Sequence, residues 1–314
     1  MENAEVINKV VGGKRTIPQV GESIIHTPFF SIITVSYNDA DALSRSLDAI
    51  YAQSYRDFEI IVIDGASTDD TLSILNSRRN EIDYFISEPD DGIYQAINKG
   101  IRLARGKVVG LVHADDILAC NALTHYHQKF LDNNVDIVLG DCCYFKEGGQ
   151  LSAYKPARDY GAETIFRGIT AAHEAVFVRL SVYDKLGTYD ETYASAADFK
   201  LISTMILSGV TTASTNFVEV FKQEGGASFS KDVEFRENLR LIREHAPHLS
   251  EAHYQQLLKL KNYRNLCPAD VRAIYDLVPS LNVPCSHCLP LRSGRIAEIK
   301  QHCSHDGAFT HSVE

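Results

Sequence analysis

Five short apolar runs, separated by segments with helical spacing, dominate the first half of this 314-residue chain. They are SIITVS (31–36), FEIIVID (58–64), DYFISE (83–88), KVVGLVH (107–113) and DIVLGDCCYF (136–145). Runs of this length that are rich in Val and Ile indicate strands, several of them buried on both faces. Because the strands alternate with helices, the sequence predicts an α/β fold with a mostly parallel sheet in three layers.

The segments between and after these strands carry the spacing of helices. Apolar residues repeat at helical intervals within 38–51, 93–104 and 123–131, and Ser67-Thr68-Asp69-Asp70 is typical of a helix start. A further strand is predicted at 175–178, followed by helical patterns up to Gly209 and then more strand and loop. From about residue 231 the chain is predicted to be mostly helical.

Polar side chains follow three of the predicted strands. They are Ser36-Tyr37-Asn38, Asp64-Gly65 and Asp115-Asp116. In open α/β sheets, ligands bind beyond the carboxyl ends of the strands. Adjacent carboxylates there suit a hard divalent cation such as Mg²⁺ or Mn²⁺, which also binds phosphate oxygens. An isolated Asp-Asp pair is more often a solvated turn, but its convergence with Asp64 favours a metal site for a nucleotide diphosphate.

Composition narrows the class of protein. A formal net charge of -10 argues against a surface that wraps nucleic acid. Seven cysteines, an odd number scattered along the chain, do not indicate a disulfide framework. The first 28 residues lack the pattern of a secretory signal, and no apolar run is long enough for a membrane span. We therefore expect a cytoplasmic protein.

Two segments carry a resemblance to a known family. They are SIITVSYNDADALSRSLDAIYAQSYRDFEIIVIDGASTDDT and EPDDGIYQAINKGIRLARGKVVGLVHADD. Over about residues 29–230 the chain resembles the family 2 glycosyltransferases of the Rossmann-like GT-A fold, especially the bacterial branch that builds capsule, exopolysaccharide and lipopolysaccharide. The resemblance implies a metal-dependent, inverting hexosyltransferase that uses Mn²⁺ or Mg²⁺. Its donor would be a nucleoside-diphosphate sugar, with UDP-sugar favoured, and its acceptor a glycan or lipid-linked glycan.

The resemblance also assigns residues to the nucleotide. Thr34, Ser36 and Tyr37 match the positions on the first strand that line the nucleotide pocket. Asp64 matches the carboxylate that meets the base. Asp91, in the segment Asp91-Gly92-Ile93-Tyr94, matches a position that flanks the donor site.

Other matches concern the metal, the catalytic base and the acceptor. Asp115 and Asp116 match the metal and ribose motif, with Asp116 favoured for the ion. Asp198 matches the general base that deprotonates the acceptor hydroxyl in an inverting transfer; a helix-capping aspartate is its structural alternative. The pair His173-Glu174 matches a position facing the acceptor, and a structural histidine is equally compatible with the sequence.

Several features depart from the family pattern or are open to two interpretations. Gly65 stands where a second acidic residue is usual, His113 where Asn is common, and Ala197 where Glu is common. The segment Gly225-Gly226-Ala227-Ser228 resembles a loop that closes over the diphosphate, although a simple glycine turn fits nearly as well. The chain has no Trp, so the Trp-containing acceptor motif of processive synthases is missing, which favours addition of a single sugar.

We expect three regions: an N-terminal extension (1–28), the transferase domain (29–230) and a mostly helical C-terminal region (231–314). The last region is interpreted as an acceptor-side lid, an oligomer contact or a dock at the inner face of the membrane. Its residues Cys285, Cys288, Cys303 and His305 have a spacing that is compatible with structural zinc. Local enrichment in histidine is the favoured explanation for this cluster.

Two other functions compete with a glycosyltransferase. A sugar-nucleotide nucleotidyltransferase would need a glycine-rich, basic loop after the first strand, and SYNDAD does not supply one. A catalytically inactive nucleotide-sugar-binding or scaffold protein of the same pathway is the other alternative. Retention of Asp64, Asp115, Asp116 and Asp198 weighs against it.

Overall fold

The computed structural model describes residues 9–17, 26–132, 134–157, 171–224 and 231–255. Within these ranges ten strands form one sheet. The strands are β1 (Val10–Gly12), β2 (Phe30–Ser36), β3 (Phe58–Asp64), β4 (Tyr84–Ser87), β5 (Val108–Leu111), β6 (Asp116–Leu118), β7 (Ile137–Phe145), β8 (Leu151–Lys155), β9 (Val176–Arg179) and β10 (Thr212–Gln223).

Seven α-helices are described in the same ranges. They are α1 (Ala40–Tyr51), α2 (Thr71–Ser77), α3 (Ile93–Leu103), α4 (Ala122–Asp132), α5 (Leu180–Leu186), α6 (Ala197–Leu207) and α7 (Lys231–His245). Short 3-10 turns cover Lys14–Thr16 and His173–Ala175. No helix within the described part of the chain is long and apolar enough to span a membrane.

The sheet has a parallel half and a mixed half. Its strand order is β1-β4-β3-β2-β5-β9-β7-β10-β6, and β8 pairs with β7 at the side. Strands β4, β3, β2 and β5 run parallel to one another, so their carboxyl ends share one edge. Strand β9 is antiparallel to both β5 and β7, and β6 is antiparallel to β10. The predicted sheet is therefore confirmed, with antiparallel strands in its second half and with β1 antiparallel to β4 at the opposite edge.

The central strands are buried on both faces because their side chains alternate between two apolar clusters. Ile33 and Ile61 face one cluster, whereas Ile32 and Ile60 face the other. All four side chains are at most 1% exposed. Burial on both faces explains why these runs are continuously apolar instead of alternating with polar residues.

Helix α7 packs against the main body of the protein. Leu241 and Ile242 are fully buried in the same cluster as Met205 of α6. In addition, the Glu237 carboxylate accepts hydrogen bonds from the backbone N–H groups of residues 194, 195 and 196, at 2.6, 2.8 and 2.8 Å. Because these groups lie just before and at the start of α6, Glu237 stabilises that helix end.

Candidate active site

Asp64 ends strand β3 and is fully buried, but its carboxylate is held by neighbouring hydroxyl groups. The hydroxyl of Ser67 donates to Oδ1 at 2.5 Å, and that of Ser87 donates to Oδ2 at 2.5 Å. The backbone N–H of Ser67 also donates to Oδ2, at 3.1 Å. Asp64 therefore fixes the loop that follows β3 at the carboxyl edge of the sheet.

The three residues assigned to the first strand differ in exposure. Tyr37, just after β2, is 67% exposed. Thr34 and Ser36 are buried, and their hydroxyl oxygens have no hydrogen-bond partner among the described residues. Ser36 pairs in register with Asp64, so Tyr37 and the loop after β3 lie at the same edge of the sheet. Of the three side chains, only that of Tyr37 faces solvent.

Gly65 has a spatial explanation. A Cβ atom at this position would lie 3.1 Å from Oδ2 of Asp90 and 3.2 Å from Cδ2 of Tyr37. A side chain here would crowd both residues, because the Asp90 carboxylate and the Tyr37 ring occupy the space beside Gly65. Burial, reinforced by Asp64, raises the pKa of Asp90. Nothing in the sequence alone singles out Asp90. Its neighbour Asp91, which was predicted to flank the donor site, is exposed and hydrogen-bonded to Gln95.

The segment from His113 to Asp116 forms a tight turn between β5 and β6. The backbone N–H of His113 donates to Oδ2 of Asp116 at 2.9 Å, and the N–H of Asp116 donates to the carbonyl of His113 at 3.1 Å. Ser46 of α1 secures the turn, because its hydroxyl lies 2.6 Å from the carbonyl of Ala114 and 2.7 Å from that of Asp116.

Asp115 and Asp116 have different surroundings. Asp115 is half-buried and its side chain has no hydrogen-bond partner among the described residues. Asp116 is fully buried, and its Oδ1 lies 3.1 Å from the Nζ atom of Lys222. Oδ2 of Asp116 therefore accepts a hydrogen bond from the protein, and Oδ1 has the ion pair with Lys222 but no hydrogen-bond partner among the described residues. Asp115 has neither contact and is free to bind a ligand.

Lys222, on β10, is the main site residue that the sequence analysis missed. Its ammonium also pairs with Glu174, so it lies between two buried carboxylates. Burial alone would lower the pKa of Lys222, but Glu174 and Asp116 outweigh that effect and raise it. Burial alone would raise the pKa of Glu174, yet Lys222, helped by His113 and His173, lowers it to about 2. Burial, together with Glu174, raises the pKa of Asp116.

A pocket of about 290 Å³ opens beside this ion-pair network. Asp115 and Lys222 form part of its wall, with Arg45 from α1 and the turn between β7 and β8. The other lining residues are Ala114, Ile117, Phe145, Lys146, Glu147, Gly148, Gly149, Phe221 and Gln223. Three cationic side chains and two carboxylates, those of Asp115 and Glu147, suit a ligand that combines phosphate groups with a cation.

Asp198 lies in the first turn of α6. The hydroxyl of Tyr94 donates to the carbonyl oxygen of Ser195 at 2.7 Å and also lies 3.3 Å from Oδ1 of Asp198, and Tyr94 stacks on Tyr189 with ring centroids 5.6 Å apart. Asp198 does not cap α6 through its side chain, because the residue at the cap position is Ala196. The carboxylate is half-buried and can accept a further proton or hydrogen bond.

His173 and Glu174 form a short turn before β9 and approach His113. One ligand atom from each of the three side chains lies within 4.8 Å of the others. Burial lowers the pKa of His113 to about 3, so its imidazole is neutral near pH 7. The segment 225–228 and the predicted zinc ligands Cys285, Cys288, Cys303 and His305 lie outside the described residues.

Comparison with known proteins places this site in context. Residues 31–178 match the model of the family described as "Glycosyl transferase family 2". The chain is 33% identical over 181 residues to the PGL/p-HBAD biosynthesis glycosyltransferase of Mycobacterium tuberculosis, which covers 55% of this chain and 67% of the relative. It is 28% identical over 186 residues to an uncharacterized glycosyltransferase of Rickettsia prowazekii, covering 56% of this chain and 58% of that protein.

Two solved structures share the architecture. The S. aureus TarS 1-349 structure in complex with UDP-GlcNAc superimposes with a TM-score of 0.59 at 18% identity, over 80% of this chain and 81% of TarS 1-349. The mannosyltransferase PcManGT from Pyrobaculum calidifontis, in complex with GDP-Man and Mn²⁺, gives 0.53 at 18% identity, over 92% and 83% of the two chains. The predicted GT-A fold is therefore confirmed.

Proposed function

Because the chain belongs to glycosyl transferase family 2 and is a glycosyltransferase, we propose that it is an inverting hexosyltransferase that uses a nucleoside-diphosphate sugar. The proposed donor is a UDP-sugar, and the proposed acceptor is a glycan or lipid-linked glycan of bacterial surface polysaccharide synthesis. The solved relatives in complex with UDP-GlcNAc and with GDP-Man support a nucleotide-sugar donor. The relative from PGL/p-HBAD biosynthesis supports a glycosyltransferase that acts in biosynthesis.

The observation that carries the proposal is that Asp115 and Lys222 both line one pocket. We assign the diphosphate of the donor to this pocket, with Arg45 as a further cation. The nucleoside would lie towards Tyr37, where an exposed ring can stack on a base. Asp64 and Asp90 would then fix the loop that meets the base or ribose.

The residues of the pocket fit a divalent cation such as Mn²⁺ or Mg²⁺. Asp115 offers a carboxylate without a protein partner, and hard cations bind one or two protein carboxylates together with phosphate oxygens. When bound, such an ion neutralises charge on the departing diphosphate. Asp116 is better placed to hold the turn and Lys222 than to bind the ion directly, so we assign the direct contact to Asp115.

Asp198 is the proposed general base. Its carboxylate would accept the proton of the acceptor hydroxyl while that oxygen bonds to the anomeric carbon and the bond to the diphosphate breaks. The hydroxyl of Tyr94, whose shorter hydrogen bond goes to the carbonyl of Ser195, lies 3.3 Å from Oδ1 of Asp198 and leaves the other oxygen of Asp198 for the acceptor. Glu237 supports this arrangement indirectly, because it holds the backbone just before Asp198.

The first test measures donor binding. We expect Asp115→Asn to abolish the Mn²⁺-dependent part of the affinity for UDP-sugars, because the amide is a much weaker ligand for a cation. Isothermal titration with a panel of UDP- and GDP-sugars, with and without Mn²⁺, measures this loss. Asp41→Asn, at an exposed position of α1, is the matched control. Unchanged Mn²⁺ dependence in Asp115→Asn would refute the assignment of the ion.

The second test separates binding from chemistry. Asp198→Asn should retain donor affinity within about twofold and lose at least about 100-fold in the rate of sugar transfer, as expected for loss of a general base. Donor hydrolysis and transfer to lipid-linked acceptors are measured by release of the nucleoside diphosphate. If the unmodified protein binds the donor and never turns it over, the inactive nucleotide-sugar-binding alternative is favoured instead.

A further inference from the structure

His113 is a buried histidine with an unused ring nitrogen. It is 8% exposed, and its Nδ1 atom has no hydrogen-bond partner among the described residues. Buried polar atoms in folded proteins nearly always have a partner, so an unpartnered ring nitrogen calls for an explanation. The role proposed above for the pocket does not use this nitrogen.

Two other potential ligands face the same point. A ring nitrogen of His173 and a carboxylate oxygen of Glu174 lie, with a ring nitrogen of His113, all within 4.8 Å of one another. Small side-chain rotations would bring such atoms to the shorter spacing of ligands around one metal ion. Two imidazoles and one carboxylate come from two separate segments, the β5–β6 turn and the turn before β9.

The surroundings of His173 favour its use as a ligand. Its Nε2 atom lies 2.6 Å from the hydroxyl of Tyr189. When Nε2–H donates this hydrogen bond, Nδ1 carries the lone pair that can bind a metal. Histidine ligands of metals are commonly held in this way by an outer hydrogen bond, which fixes both the tautomer and the orientation of the ring.

The electrostatics of the cluster also accommodate a cation. Three carboxyl groups, those of Asp115, Asp116 and Glu174, lie near the ammonium of Lys222, and Glu174 also interacts electrostatically with the ammonium of Lys155. Lys222 engages only Oε1 of Glu174. The second oxygen, Oε2, is therefore the atom of Glu174 that a cation would bind.

We propose that His113, His173 and Glu174 bind one divalent transition-metal ion, of the zinc or cobalt type, beneath the donor pocket. Imidazole nitrogen selects such ions, whereas the oxygen-only environment of Asp115 suits Mg²⁺ or Mn²⁺. The ion would join the β5–β6 turn to the segment before β9 and so stiffen the turn that carries Asp115. This site goes beyond the proposed transferase reaction and needs no nucleotide.

The experiment measures zinc binding to the full chain without nucleotide. Cys267, Cys285, Cys288 and Cys303 are replaced by Ser in the parent, so that thiolates of the C-terminal region do not bind zinc. The parent is titrated with ZnCl₂ by calorimetry, and zinc retained after dialysis is counted. CoCl₂ serves as a spectroscopic probe, because its visible absorption reports nitrogen ligands.

We expect the parent to retain one zinc ion more than His113→Gln and His173→Gln, each of which should weaken this site about 100-fold or more. Tyr189→Phe should weaken it about 10- to 100-fold, as expected for loss of an outer hydrogen bond. The control His26→Gln should bind as the parent does, because His26 is exposed and distant in sequence. Circular dichroism confirms folding, and His173 is only half-buried, so its variant should fold even where His113→Gln does not.

Two results would overturn the site. One is equal zinc binding by the parent and both histidine variants. The other is loss of the same ion in Asp115→Asn, because the ion would then belong to the donor pocket. Since no nucleotide is present, failure of this site is distinguishable from failure of the proposed transferase function, which the UDP-sugar titration tests by itself.

Discussion

Lys222 connects two carboxylates that would otherwise be buried without a counter-charge. The contribution of such a residue to stability is measured by the cost of the unpaired carboxylates that its removal leaves buried. Breaking a buried ion pair by removing one partner usually costs about 3–5 kcal/mol, because the remaining charge has neither water nor a counter-ion. Asp116 and Glu174 are 0% and 9% exposed, so both would be affected.

We therefore expect Lys222→Met to lower the free energy of unfolding by about 3 kcal/mol and to weaken UDP-sugar binding at least about tenfold. Lys222→Arg should recover part of the donor affinity, because it keeps the positive charge. Urea unfolding and calorimetry measure the two effects. Lys185→Met is the control, since Lys185 is exposed, lies outside the lining of the pocket and has no ion pair among the described residues. Equal effects at both lysines would contradict this role.

The sequence identified the acidic residues of the site but did not distinguish their environments. Asp115 and Asp116 are adjacent and chemically identical. Their environments differ because Asp116 contacts Lys222, which lies 106 positions further along the chain. No periodicity links Lys222 to that turn. Asp90 was missed for a related reason: its significance comes from the space beside Gly65, which only the folded chain defines.

At the scale of elements, the buried parallel strands were predicted because their apolar runs are continuous. Strands β2, β3 and β7 begin and end within one residue of the predicted runs. Strand β6 was not predicted, because a three-residue strand that starts with a carboxylate has no recognisable pattern. Its pairing with β10 places Lys222 opposite Asp116, so the shortest strand of the site determines its electrostatics.

Helices α6 and α7 are joined by a network of charged side chains. Lys200 of α6 lies 2.7 Å from Asp190 and 2.8 Å from Glu244 of α7. Burial would raise the pKa of Asp190, but hydrogen bonds from Lys200 and Thr192 lower it to about 2. A carboxylate whose pKa is lower in the folded state stabilises the protein above its ordinary value of 3.8, and this contribution is lost as the pH falls towards 2.

Asp190→Asn should accordingly destabilise the protein by about 1 kcal/mol at pH 6, a value reduced for solvent screening. The difference from the unmodified protein should shrink at pH 2.5, where Asp190 is partly protonated in the folded state and largely so in the unfolded state. Urea unfolding at both pH values measures it. Asp184→Asn, at an exposed position of α5, is the control and should show no such dependence on pH. A constant difference between the two pH values would contradict the expected role of the carboxylate.

At the scale of the whole molecule, we propose the division into an extension (1–28), a transferase domain (29–230) and a C-terminal region (231–314). The packing of α7 shows that the described start of the C-terminal region (231–245) is not energetically separate. Leu241 and Ile242 share one apolar cluster with Ile33 of the central strand β2. The start of the C-terminal region is thus part of the core that supports the site.

We expect Leu241→Ala to lower the free energy of unfolding by about 2–4 kcal/mol, because the side chain is fully buried and its removal leaves a cavity. Phe235→Ala, on the same helix but 44% exposed, should cost less than about 1 kcal/mol. Thermal and urea unfolding measure both changes. A small effect of Leu241→Ala would indicate that α7 contributes little to the common core and would favour an independent C-terminal region.

The pairing of β6 with β10 has a consequence for the order of folding. Asp116 cannot meet Lys222 until more than two-thirds of the chain has been synthesised, and β10 must also pair in parallel with β7. Contacts between such distant parts of a chain form late, because loop closure has to precede them. The strands that hold Asp64 can assemble earlier from neighbouring segments. During synthesis the nucleoside end of the crevice should therefore form first and the diphosphate end last, so that binding of the complete donor reports a fully assembled sheet.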